Sequence, residues 1–228
     1  MNNWKRLYII AEGQTEEHFV NATLSVYLGE SFYTDTHVRC IRTSRTQRGG
    51  LINYEQAKND ILQWAKEDDT AYITTMFDLY ALPKNFPGFA EAKQYAQQPY
   101  QRVRFLENAL KEDILKEGIR DDRFIPYIQL HEFEALVLSK PKELLLKYIE
   151  YEQAINQLVT LLAEKGNPEL INDKPETAPS KRIEALIPAY NKIVGANVVG
   201  RIGMKWLKEH CAHFNEWVER LENIPSAT

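Results

Sequence analysis

Three apolar runs of this chain end on acids. Arg6 to Ala11 runs into Glu12-Gly13, Ala71 to Phe77 into Asp78, and Phe124 to Leu130 into His131-Glu132-Phe133-Glu134. An acid at the C-terminal end of a parallel strand points into the crevice where open α/β sheets bind ligands. If the three runs are neighbouring parallel strands, Glu12, Asp78 and one of Glu132 or Glu134 gather at one sheet edge. Like charges held together repel unless a cation or protons compensate. An all-oxygen set suits a hard cation, Mg2+ or Mn2+, which keeps several waters and shares a substrate phosphate. The chemistry such a site supports is phosphoryl transfer or phosphodiester hydrolysis, with the protein supplying placement. Glu12 is expected to bind metal or act as general base, and Asp78 to bind metal. His131 and Glu134, at i and i+3 of a helix, would share a face while Glu132 diverges.

Other residues extend this set. Glu16 and Glu17 open the helix after Gly13 and offer further metal oxygens, although a first-turn acid also answers the helix dipole. Between Asp35 and Glu55 no acid occurs, while Arg39, Arg42, Arg45 and Arg48 recur at intervals of three. Arg45 and Arg48, in the loop after the second strand, are expected to grip phosphates by forked hydrogen bonds. Lys181 and Arg182 precede a second acid-free stretch and are added to the phosphate-binding set. Each of these basic residues equally reads as a solvated charge. Gly13-Gln14-Thr15 offers backbone donors at a helix start, a weak signal on one glycine. His210-Cys211-Ala212-His213 matches no structural zinc spacing and reads as packing or surface.

The elements that must position these residues alternate through the first 130 positions. A helix is expected over Thr15 to Glu30, with Val20, Leu24 and Leu28 as its apolar stripe, and another over Asn53 to Glu67. The second strand reads as Val38 to Thr43. A proline-rich loop, Ala81 to Gly88, follows the third strand and helix runs on to Gly118. This βαβαβαβ order implies a mostly parallel four-stranded sheet flanked by helices, an α/β fold. From His131 the chain reads as nearly all helix. The expected organisation is an α/β domain over residues 1–138 and a helical region over 139–228 packed on it, or a single domain overall.

Composition bounds the function. Lys plus Arg total 28 against 32 Asp plus Glu, a net charge of −4, so no global field draws the chain to nucleic acid or anionic membrane. Cys40 and Cys211 are too few for a disulfide framework, and no leader or membrane-spanning run is read. A soluble, cytoplasmic protein without membrane contact is expected.

The order strand-Glu-Gly, strand, strand-Asp resembles the Toprim superfamily, the metal-dependent catalytic domain of topoisomerases, primases and overcoming-lysogenization-defect nucleases. More closely, EGQTEEHF from Glu12, TTMFDLYALPKNFPG from Thr74, IQLHEFEAL from Ile128, INDKPETAPSKRI from Ile171 and CAHFNEW from Cys211 look like a family of uncharacterised Toprim-like bacterial proteins. Members of that family are often encoded beside ABC/SMC-type ATPases. The resemblance covers essentially the whole chain. It implies a Mg2+- or Mn2+-dependent nuclease acting on DNA or RNA, in phage defence or DNA maintenance, with an ATPase partner or a homo-oligomer completing the grip. It also exposes a departure: Toprim enzymes carry Asp-x-Asp, whereas this chain reads Asp78-Leu79-Tyr80. Glu16, Glu17, Glu132 or Glu134 would have to supply the missing carboxylate. The alternative is a non-catalytic Toprim-fold binding subunit. A receiver-like phosphoacceptor is disfavoured because Glu12 is followed by Gly13 rather than a second acid.

Overall fold

The computed structural model describes residues 4–41, 51, 53–172 and 177–225. A parallel sheet with strand order β2-β1-β3-β4 forms its centre, built from β1 (Lys5–Ala11), β2 (Thr34–Cys40), β3 (Tyr72–Asp78) and β4 (Phe124–Ile125). A further strand, β5 (Ile128–Gln129), pairs with the end of β3. The fold is α/β, as the alternating pattern requires.

Position in the sheet explains how each strand reads. β3 has neighbours on both sides and is buried from Ile73 to Asp78, hence its nearly continuous apolar run. β2 lies at the edge and alternates in burial. Its first half, Thr34-Asp35-Thr36-His37, carries no apolar signal, so the strand begins earlier than the expected Val38. The expected fourth strand is divided at Pro126-Tyr127, because proline has no N–H for the ladder. Thr75 bridges the break: its Oγ1 donates to the Tyr127 carbonyl and accepts from the Tyr127 N–H, both at 2.9 Å.

Helices cover both faces. After β1, α1 (Gln14–Phe19), a π-helical stretch Val20–Leu24 and α2 (Ser25–Phe32) follow one another directly. The stripe Val20, Leu24 and Leu28 is fully buried, as its spacing predicts. The other helices are α3 (Tyr54–Glu67), α4 (Pro99–Leu115), α5 (Glu134–Val137), α6 (Glu152–Lys165), α7 (Pro179–Leu186), α8 (Lys192–Ile202), α9 (Met204–His210) and α10 (Ala212–Glu222). Side chains alternate across β1. Leu7 and Ile9 join a core shared with Phe19, Leu24 and the C-terminal helices as far as Ile224, while Ile10 meets Ile73, Phe77 and residues of α3 and α4. Helix α10 is tied to the central strand by Trp217, whose Nε1 donates to Thr74 Oγ1 at 2.8 Å.

The expected helix from His131 starts later. His131 adopts a left-handed backbone, φ 64°, and helix begins at Glu134. The i, i+3 argument that paired His131 with Glu134 and set Glu132 aside therefore fails.

Candidate functional site

Strand order decides where a site can form. β1 and β3 are neighbours although β2 lies between them in sequence, so the chain reverses its direction of sheet growth there. That reversal opens a crevice beyond the strand ends, the place where such sheets take ligands. Glu12 follows β1 directly and Asp78 ends β3. Their contact is explicit: the Asp78 N–H donates to Glu12 Oε2 at 2.9 Å.

Three more acids approach from the flanking elements. Glu16, in the first turn of α1, accepts from the Gly13 N–H through Oε2 at 2.9 Å, so this carboxylate ties the loop to the helix start. The plainer first-turn role holds for Glu16, yet it is buried beside the others. Glu132 Oε2 accepts from the Ser180 N–H at 3.0 Å. Ala178, the N-cap of α7, has no side-chain oxygen to cap that helix, and Glu132 supplies it from a distance. Glu134 is fully buried and neither of its oxygens makes a well-formed hydrogen bond among the described residues, although the Tyr190 hydroxyl is close enough for Glu134 to raise its pKa; Oδ1 of Asp78 also lacks a hydrogen bond. Glu132 and Glu134 both raise the pKa of Asp78, after burial, Glu12 and Glu16, so electrostatics does not choose between them.

Among the described residues, one cation lies within ion-pair distance of these acids. Lys192, the first residue of α8, places Nζ 3.8 Å from Glu134 Oε1. Its ammonium pKa is raised despite partial burial, chiefly by Glu134 and then by Asp78, Glu132 and Glu16. One charge does not balance the set. Burial, opposed by the Asp78 amide and reinforced by Glu16, pushes Glu12 up to about 8. Burial pushes Glu134 up to about 7, with Lys192 opposing. Asp78 is raised well above its ordinary value by burial, Glu12 and Glu16, and Glu16 is raised by burial too. Among the described residues Lys192 leaves these acids undercompensated, a deficit that protons or a metal would meet.

The oxygen-only donors and the oxygens of Glu134 and Asp78 that make no well-formed hydrogen bond fit a hard dication. Among the described residues no three acidic, histidine or cysteine side chains already form a ligating cage. The residues match the chemistry of the ion without presenting a finished coordination shell.

The remaining predicted residues separate. Arg45 and Arg48 lie outside the described residues. Lys181 pairs with Glu184 at 2.7 Å, and Arg182 Nε donates to the Thr177 carbonyl at 2.8 Å, both on the helix whose start holds Glu132. His131 faces away from metal duty: burial depresses its pKa to about 4, its Nδ1 lies 3.1 Å from Asn172 Nδ2, and Tyr80 packs on its ring. Tyr80, two residues after Asp78, is half-buried against that imidazole. Glu17 lines an outer groove with Gln14 and His18. His213 is buried against Glu107, and His210 stacks on Trp206, so neither suggests zinc.

Lys192 escaped sequence reading. A signal existed: Asn191 is a ready N-cap, and a lysine directly after it opposes the helix dipole.

A profile of a domain of unknown function, DUF4276, matches residues 11–222. The chain belongs to this family. No curated protein and no solved structure matches the chain. The matched span includes every acid of the site and Lys192, so the crevice lies within the family's domain.

Proposed function

We propose that this DUF4276 protein is a Mg2+- or Mn2+-dependent, Toprim-like phosphodiesterase acting on nucleic acid, and that it serves a bacterial phage-defence or DNA-maintenance system. The observation that carries this reading is the set of buried acids at the crevice between β1 and β3, where Glu134 keeps two oxygens without well-formed hydrogen bonds. When bound, a hard dication neutralises developing charge and lowers the pKa of a coordinated water. Glu134, Asp78 and Glu12 would hold it. Glu12, whose Oε2 accepts from the Asp78 amide, would keep its other oxygen either for the ion or for the proton of an attacking water. Glu16 and Glu132 stiffen the two helix starts that frame the crevice, and Lys192 is placed to hold a non-bridging phosphate oxygen. With a net charge of −4, the chain needs added grip for a long polyanion, which an ABC/SMC-type ATPase or a second copy would provide. The proposal includes a cytoplasmic location; no described helix is long and apolar enough to cross a membrane.

The test is cleavage of single- and double-stranded DNA and RNA in Mn2+, with and without an ABC/SMC-type ATPase where the genome encodes one beside this gene. Glu12→Gln and Asp78→Asn should each abolish cleavage while the fold survives. Parent-like cleavage by both variants overturns the catalytic reading. One observation favours a second reading, a non-catalytic binding subunit: Tyr80 packs on His131 and brings no charge to the site. Mn2+ and nucleic-acid binding without cleavage under any of these conditions would select it.

A further inference from the structure

One edge of the sheet keeps its hydrogen-bonding groups unspent. Among the described residues β2 pairs with β1 on one side and with no strand on the other. Two bonds fix which of its backbone groups are used: the Lys5 N–H donates to the Tyr33 carbonyl and the Ile41 N–H to the Ala11 carbonyl, both at 3.0 Å. Backbone direction alternates along a strand, so the odd positions from Tyr33 to Ile41 turn their groups towards β1. Thr34, Thr36, Val38 and Cys40 therefore each turn an N–H and a C=O outward. Edge strands that stay bare are ordinarily short, bulged, or guarded by proline or lysine. β2 runs for seven residues in unbroken register with β1 and contains neither proline nor lysine.

The charges on β2 complement themselves. Asp35, His37 and Arg39 share one face of the sheet, and all three are exposed. A two-fold axis through the edge pairs the strand antiparallel with its own copy, and outward groups must then meet outward groups. Full overlap sets Thr34 opposite the partner's Cys40 and Thr36 opposite the partner's Val38, a ladder of about eight hydrogen bonds. The same register sets Asp35 opposite the partner's Arg39 on both sides of the axis. A two-residue slip one way leaves Arg39 with no acid opposite it, and the other way sets Arg39 against the partner's His37. Both slips also shorten the ladder. Within one copy Asp35 holds His37 at 3.0 Å, and Arg39 holds Glu67 at 3.4 Å with its guanidinium 4.4 Å over Trp64. These are exposed pairs, which an opposing strand shares or displaces at little cost. The flanking helix leaves room at the start of the edge: α2 carries Gly29, which has no side chain, beside the outward Thr34 carbonyl. There Trp4 and Tyr33 pack edge to face at 5.9 Å, each about half exposed, an apolar surface of the kind that a partner covers.

We propose that two copies of this chain join antiparallel through β2, with Asp35 of each opposite Arg39 of the other, into one continuous sheet. Strands of the two copies then run in opposite directions, so the acid crevices open at opposite ends of the joined sheet and each is complete in its own copy. The dimer does not rest on the activity proposed above. Its test is sedimentation velocity of the full chain over a concentration series, in which the parent should approach twice 26.5 kDa. Asp35→Arg and Arg39→Asp, both exposed changes, should each weaken self-association about tenfold or more. Mixed in equal amounts, the two variants regain both opposite-charge pairs and should associate with each other as the parent does with itself. Position 37 meets its own copy at the axis in a non-hydrogen-bonded pair, with Cα atoms about 4.5 Å apart, inside the roughly 4.4–6.8 Å that a disulfide spans. His37→Cys should therefore give a disulfide-linked dimer on mild oxidation. A parent that stays monomeric throughout, a dimer indifferent to both charge reversals, variants that do not associate when mixed, or His37→Cys without a linked dimer overturns the proposal.

Discussion

Replacing Glu134 with glutamine tests the electrostatics of the acid crevice without assuming any activity. Glu134 is fully buried, its oxygens make no well-formed hydrogen bond among the described residues, and its pKa is raised from 4.5 to about 7. The folded chain therefore keeps a proton that the unfolded chain releases. Below 4.5 both states are protonated and the group is neutral in its effect. As pH rises from 4.5 through about 7 the folded state loses stability relative to the unfolded one, and above that the loss is complete. A carboxyl displaced this far costs about 3 kcal/mol at its full extent. Glu134→Gln removes that dependence. The same change withdraws a charge that raises Asp78, which adds to the effect with the same sign. A buried amide that lacks partners has its own cost, but that cost does not vary with pH, so the measurement is the difference between two pH curves. Urea unfolding in chelator from about pH 4 to about pH 8 should show the variant gaining about 3 kcal/mol on the parent. For a chain of this size that corresponds to roughly 6–12 °C in Tm. Added Mn2+ should recover the stability of the parent at high pH more than that of the variant. Parallel pH curves for the two proteins would refute the account of Glu134 as a buried, undercompensated acid.

Two further substitutions probe the same neighbourhood. Lys192→Met removes the cation nearest Glu134; because that side chain is half exposed, the loss of stability at about pH 8 in chelator should be only on the order of 1 kcal/mol. The crevice should then bind Mn2+ more tightly by calorimetry, and weaker binding would count against Lys192 as the resident counter-ion. Gly195→Ala lies inside α8, where exchanging glycine for alanine ordinarily stabilises by about 0.5–1 kcal/mol. Here the added Cβ would stand 2.0 Å from the Tyr190 hydroxyl, so urea unfolding should instead show a loss of about 1–3 kcal/mol.

Local chemistry made much of this protein legible. The apolar runs located β1 and β3 and put Glu12 and Asp78 at their ends, because an extended chain in a parallel sheet reads directly as buried residues followed by a crevice. The spacing of Val20, Leu24 and Leu28 marked a helix face, since 3.6-residue periodicity is a property of the backbone itself. Other features were set by neighbours distant in sequence. β2 begins at Thr34 because β1 supplies its hydrogen bonds, and an edge strand needs no apolar run. Glu132 meets the start of α7 and Glu134 opens α5, whereas His131 takes a left-handed turn instead of starting the helix. No periodicity announces that turn. Lys192 meets Glu134 because α8 packs on α1 and α5, and the buried Glu107 and Glu169 are tolerable only where Ile128, His213 and Phe214 donate to them. Sequence determines which groups the chain owns and which way each element faces. Whether a carboxylate is a solvated surface charge, a remote helix cap or an undercompensated acid depends on what burial removes and which donors packing restores, and only the tertiary structure decides that.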